Sequence, residues 1–122
     1  MIITIPFKTP TVNHLHGHNK FGNTYLKPEA KKLKEHIADL VNVLPKEVLG
    51  HRKLKVIVEI QEDWLTKEGK VKRKDVANRE KFLIDSIFEV LMLDDKYIYE
   101  LIIRKIQSEK EQAIIKIEEY TL

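Results

Sequence analysis

Cysteine is absent from all 122 residues of the sequence. That excludes a disulfide framework, a thiolate metal site and a cysteine nucleophile, and it suits a reducing cytoplasm. Long apolar runs are missing too. Stretches such as Leu101-Ile102-Ile103 fall far short of the roughly 20 residues that cross a membrane. Met1-Ile2-Ile3-Thr4-Ile5-Pro6 lacks the positive start and the length of a secretory signal, so a cytoplasmic protein with no membrane partner is expected. There is no nucleophile elbow, Walker loop or Gly-rich dinucleotide fingerprint, which leaves acyl transfer, nucleotide hydrolysis and hydride transfer without support. No repeat, low-complexity tract or linker divides the chain, and its length fits one domain over 1–122.

What is present is a segregated charge. The net +3 is small, but residues 8–36 carry six Lys against Glu29 and Glu35, a balance of +4. Residues 64–74 carry Lys67, Lys70, Lys72, Arg73 and Lys74 against Glu68, again +4. Residues 75–100 carry Asp75, Glu80, Asp85, Glu89, Asp94, Asp95 and Glu100 against Arg79, Lys81 and Lys96, a balance of −4. A solvated surface explains such runs in part. A basic segment running directly into a carboxylate-rich one asks for more.

Hydrophobic periodicity predicts an α+β domain. Met1–Phe7 alternates Ile3, Ile5 and Phe7 as a strand. Thr9–Asn23, with Pro10, Asn13 and three His, reads as a long loop, with a short strand at Thr24–Leu26. Pro28 opens a helix whose apolar positions are Ala30, Leu33, Ile37, Leu40, Val41 and Leu44, ending at Pro45. Leu54, Val56, Val58 and Ile60 alternate in a strand over about 53–62. A basic loop, Thr66–Lys74, leads to a second helix capped by Asp75 or Asn78, with Phe82, Leu83, Ile84, Ile87, Phe88, Leu91 and Met92 as its apolar positions. Asp94-Asp95 ends it. Strands Tyr97–Gln107 and Gln112–Tyr120 follow, with Ser108–Glu111 read as a hairpin turn. The expected order is β-α-β-α-β-β, a mixed sheet with both helices on one face.

Asp75, Asp94 and Asp95 are the first candidates for chemistry. Hard carboxylate oxygens suit Mg²⁺ or Mn²⁺, which activate water and neutralise phosphoryl charge. A helix of about 15 residues separates its ends by roughly 20 Å, so these groups meet only if the chain folds back. Alternatively, Asp75 caps the helix and Asp94-Asp95 form a turn. Lys81 faces Asp85 four residues on, either as an exposed ion pair or as a cation placed to stabilise developing phosphoryl charge. Lys70, Lys72, Arg73, Lys74 and Lys20 are candidates for phosphate contact. His14, His16 and His18 alternate; they lack a fourth ligand at zinc spacing and a His-Glu-x-x-His pattern, which favours contact with a phosphate or base, or plain solvent exposure, over a metal. Neither His36 nor His51 has a catalytic partner in view. Tyr25, Trp64, Tyr97 and Tyr99 are either base-stacking or packing residues.

The order of features resembles the RusA family of Holliday junction resolvases. Ile5-Pro6, Pro10 and Asn13 precede Tyr25-Leu26-Lys27-Pro28-Glu29-Ala30. Then come Arg73-Lys74-Asp75-Val76-Ala77-Asn78-Arg79-Glu80-Lys81, Asp85, and Leu93-Asp94-Asp95-Lys96-Tyr97-Ile98. The resemblance implies a homodimer that binds four-way DNA junctions and nicks two strands symmetrically with Mg²⁺ or Mn²⁺. It implies Asp75, Lys81 and Asp95 as catalytic residues, Asp94 as a further ligand, and Asn78 and Asp85 as support. A two-fold pair of subunits matches the near two-fold symmetry of a junction. One departure stands out: the family motif has Asp where this chain has Ala77, which cannot ligate a metal. Ala77 is then either an engineered change or the mark of a natural member that binds junctions without cutting well. A non-catalytic junction-binding protein is one rival reading; an RNA-binding α+β domain, with no junction preference, is another.

Overall fold

The computed structural model describes residues 1–10, 16–18, 24–45, 49–74 and 76–121, with the backbone alone at 16–18, 24–26, 77 and 78. Its elements run β1 (Ile2–Ile5), β2 (His16–His18), β3 (Thr24–Leu26), α1 (Pro28–Asn42), β4 (Leu54–Glu62), α2 (Ala77–Leu91), a 3₁₀ turn (Asp95–Tyr97), β5 (Ile98–Gln107) and β6 (Gln112–Glu119). The expected β-α-β-α-β-β order holds; the short strand expected at Thr24–Leu26 forms as β3 and pairs antiparallel with β2, which the sequence pattern places in a loop. β1 stops at Ile5, two residues short of the expected Phe7, because Pro6 has no N–H to give a ladder.

The main sheet has the order β1-β6-β4-β5. β4 lies at its centre, parallel to β5 and antiparallel to β6. The expected hairpin between the last two strands is therefore not formed. Ser108–Glu111 instead steps across the end of β4, with the Ser108 N–H donating to the Glu62 carbonyl at 3.0 Å. Two strand spacings are about 9.6 Å, within the roughly 13 Å reach of four extended residues. Polarity marks a turn in sequence, but it does not say whether the turn joins neighbours or straddles a third strand.

Alternation decides which face is covered. Leu54, Val56, Val58 and Ile60 of β4, Ala113, Ile115 and Ile117 of β6, and Ile3 and Ile5 of β1 are buried on one side. The register stacks them: Ile115 lies opposite both Ile3 and Val58. α1 brings Ala30, Ile37 and Val41 to this core, and α2 brings Phe82, Leu83, Ile84, Ile87 and Phe88. Each fully buried large side chain contributes about 1.5–3 kcal/mol. The other face carries Ile57, Ile102, Ile106 and Ile114 among charged pairs such as Lys55–Glu100 and Arg104–Glu59.

Helix ends set the site. Pro28 is the first residue of α1, where its missing N–H costs nothing. The capping position of α2 is Val76, whose side chain has no acceptor, and Asn78 sits inside the first turn, so the expected cap by Asp75 or Asn78 is not the one observed; Asp75 itself lies outside the described residues. α2 ends where Met92 turns left-handed at φ 56° and the Leu93 N–H donates back to the Phe88 carbonyl at 2.9 Å. Met92 is thus 91% exposed instead of joining the apolar stripe. No helix among the described residues is long and apolar enough to cross a membrane.

Candidate metal and DNA site

The turn after α2 folds back along it. Lys81 and Asp85 share a cleft of about 260 Å³ with Asp95, Glu80, Ile84, Ile98 and Leu101. Lys81 Nζ stands 3.5 Å from Asp85 Oδ2, and both side chains are exposed. A neighbouring hollow of about 360 Å³ places Asp94 and Asp95 beside Asp85 and Glu89. Asp94 also does structural work: its Oδ1 accepts the Lys96 N–H at 2.9 Å and starts the 3₁₀ turn that carries Asp95. So Lys81, Asp85 and Asp95 converge, with Asp94 at the margin.

Glu80 was not singled out by the sequence. It lines the same cleft, and its carboxyl is pushed above the ordinary glutamate value by burial and by the negative charge of Asp85, against a smaller opposing pull from Lys81. A carboxylate held with too little positive charge nearby suits a cation. Its signal was spacing: Glu80 lies three residues after Ala77, on the same side of a helix.

The oxygen donors around this cleft fit Mg²⁺ or Mn²⁺, which take carboxylate oxygens and water. Among the described residues, however, no three His, Asp or Glu side chains gather closely enough to hold a metal by themselves.

The basic loop is a tight turn. Leu65 and Val71 form an antiparallel bridge, the Gly69 N–H donates to the Thr66 carbonyl at 2.9 Å, and Gly69 takes φ 81°, which suits a residue without Cβ. Lys70 and Arg73 are exposed there. Lys72 and Lys74 are already engaged: Lys72 Nζ lies 3.1 Å from the Asp63 carbonyl, and Lys74 Nζ donates to Glu62 Oε2 at 3.0 Å. A cleft of about 230 Å³ mixes both signs: Lys8, Lys72 and Lys74 line it together with Glu62, Asp63, Glu109 and Glu111.

Asn13, His14 and Lys20, like Asp75, lie outside the described residues. His16 and His18 occupy β2, opposite Leu26 and Thr24. Of the aromatic candidates, Trp64 is buried and donates its indole N–H to the Ile60 carbonyl at 3.1 Å, so it packs. Tyr97 shares a 3.1 Å hydrogen bond with His51 Nδ1 beside Asp94 and Lys96, and Tyr99 is exposed next to Tyr120. His51 thus has a hydrogen-bond partner in Tyr97.

A family model described as endodeoxyribonuclease RusA matches residues 6–118. No curated protein matches the chain.

Proposed function

The chain belongs to the RusA endodeoxyribonuclease family, and from that membership we infer a divalent-metal-dependent nuclease of four-way DNA junctions. The observation that carries this reading is the cleft in which Lys81, Asp85 and Asp95 meet, fed by the segment that follows an exposed basic turn. Asp75 and Asp95 are the ligands, with Asp94 as a further one and Asp85 and Asn78 in support. Mg²⁺ or Mn²⁺ bound there supplies charge neutralisation and water activation for phosphodiester hydrolysis. Lys81 offers its ammonium to the charge that develops on the phosphate oxygens. Lys70 and Arg73 reach DNA phosphates from the turn, and the loop carrying Asn13, His14, Lys20, His16 and His18 adds contacts.

α2 brings Glu80 and Lys81 into the same cleft as Asp95, and Asp75 precedes Lys81 by six residues in sequence, so one chain supplies Asp75, Lys81 and Asp95 to its own site. We read the chain as a homodimer in which each protomer carries one such site. Two such sites, related by a two-fold axis, match paired nicks across a junction.

Ala77 favours a second reading, a junction-binding protein with little cleavage, since a motif position lacks its carboxylate. Binding and cutting are tested together. Gel-shift titrations of a four-way junction, a duplex and a structured RNA over a salt series are expected to show tightest binding to the junction, with a steep salt dependence. Replacing Lys70 and Arg73 with Ala weakens binding and flattens that slope. Equal affinity for all three nucleic acids would contradict the proposal.

A further inference from the structure

Glu62 is a charged residue in a hydrophobic position. It continues the inward series of β4 and is 1% exposed. Its Oε1 accepts from an Arg79 guanidinium nitrogen at 2.5 Å, and its Oε2 accepts from Lys74 Nζ at 3.0 Å. Arg79 is itself 3% exposed and lies with its guanidinium 5.5 Å from the centre of the Trp64 ring. The same Arg79 nitrogen donates to the Thr9 carbonyl at 2.8 Å, where the N-terminal loop begins. The Arg79 backbone N–H closes on the Val76 carbonyl at 3.0 Å.

The two cations on Glu62 bracket a short stretch of chain. Residues 75–78 lie between Lys74 and Arg79, and this stretch contains Asp75, Ala77 and Asn78. One carboxylate thus pins both ends of the segment, and through Arg79 it also ties in the start of the N-terminal loop. A core position filled by charge is an inefficient way to gain stability, because desolvating an ion pair offsets most of its attraction. Geometry is what this clasp provides.

We propose that Glu62 is a positioning residue for the metal site: by holding Lys74 and Arg79 it sets where the segment carrying Asp75 stands. The proposal rests on the reading of Asp75 as a metal ligand. Its effect is indirect, as outer-shell partners act on metal ligands elsewhere, where losing one typically costs about 10–100-fold in affinity.

Lys74→Met tests it most cleanly, because it opens one arm of the clasp while leaving the buried Glu62–Arg79 pair intact. Mn²⁺ alone is titrated by calorimetry into the full chain carrying Ala77→Asp, with and without Lys74→Met. Removing a cation near the site should tighten Mn²⁺ on charge alone. The clasp predicts the opposite: binding at least about tenfold weaker, a melting temperature changed by a few degrees at most, and partial recovery with Lys74→Arg. Unchanged or tighter binding overturns the proposal. Asp75→Asn is the control. If it leaves Mn²⁺ affinity unchanged, the metal assignment has failed, and the clasp is judged by amide exchange at Arg79. Faster exchange in Lys74→Met supports it; unchanged exchange overturns it.

Discussion

Ala77→Asp is expected to raise Mg²⁺-dependent cleavage of a four-way junction on the order of 10²-fold or more. Position 77 opens α2, and Glu80 and Lys81 follow it by three and four residues. Residues so spaced share a helix face, so a carboxylate at 77 joins the side from which Lys81 and Glu80 enter the cleft. A group that merely orients a metal ligand contributes about 10–100-fold to affinity or activity; a carboxylate that ligates directly contributes no less. The first turn of a helix also tolerates an acid well, since its free N–H groups favour negative charge. Initial rates of nicking in Mg²⁺, measured for the chain and its Ala77→Asp variant, check the prediction. Equal rates would show that position 77 is no part of the metal site.

Glu62→Gln is expected to cost about 3–5 kcal/mol of stability, the usual result of removing one partner from a buried ion pair. A domain of this size has roughly 5–15 kcal/mol in total, so the loss corresponds to a fall in melting temperature of roughly 10–20 °C. The cost comes from Arg79, left charged and buried. Replacing both members, Glu62→Met with Arg79→Leu, should recover most of it, because a packed apolar pair desolvates nothing polar. The pH dependence has a definite sign. Burial pushes the Glu62 carboxyl up, but hydrogen bonds and charge from Lys74 and Arg79 outweigh it and hold the group below the ordinary glutamate value. A carboxyl lowered by folding stabilises the fold above its unfolded pKa and loses that contribution as pH falls through the folded one. The chain should therefore lose stability in acid, and Glu62→Gln should flatten that limb. Thermal unfolding across an acid pH series measures both effects.

Much of the architecture was legible because it rests on period. Val56, Val58 and Ile60 could only be a half-buried strand, and Leu83, Ile87 and Phe88 only a helix face, and the fold buries them so. Strand order was not legible. Period tells which face a residue takes, not which strand lies beside it, so the sequence suggests a hairpin of the last two strands although β4 separates them. Met92 differs for another reason: the period allows the helix to continue through it, but a left-handed backbone ends it there.

Spacing alone leaves Lys81 and Asp85 as an ion pair and Asp94-Asp95 as a turn; the family resemblance is what gives them site roles, and the fold lines Lys81, Asp85 and Asp95 along one cleft. Glu62 and Arg79 passed unnoticed, although the signal was present. Extending the alternation of Leu54, Val56, Val58 and Ile60 by two residues reaches Glu62, and stepping back four from Leu83 on α2 reaches Arg79. Opposite charges at two inward positions predict a buried pair, since neither tolerates burial alone. Glu80 carries only a weak signal, its three-residue spacing from Ala77, because spacing does not distinguish a carboxylate facing a cleft from one facing solvent.

The central claim, a metal-dependent nuclease site in which Asp75 and Asp95 act with Lys81, is tested most directly by the rate of junction cleavage. The chain carrying Ala77→Asp is compared in Mg²⁺ with the same chain carrying in addition Asp75→Asn or Asp95→Asn, with junction binding followed by gel shift. Paired nicking by Ala77→Asp, lost in both further variants while they still bind the junction, is the predicted result. Cleavage undiminished by either substitution would contradict the metal site.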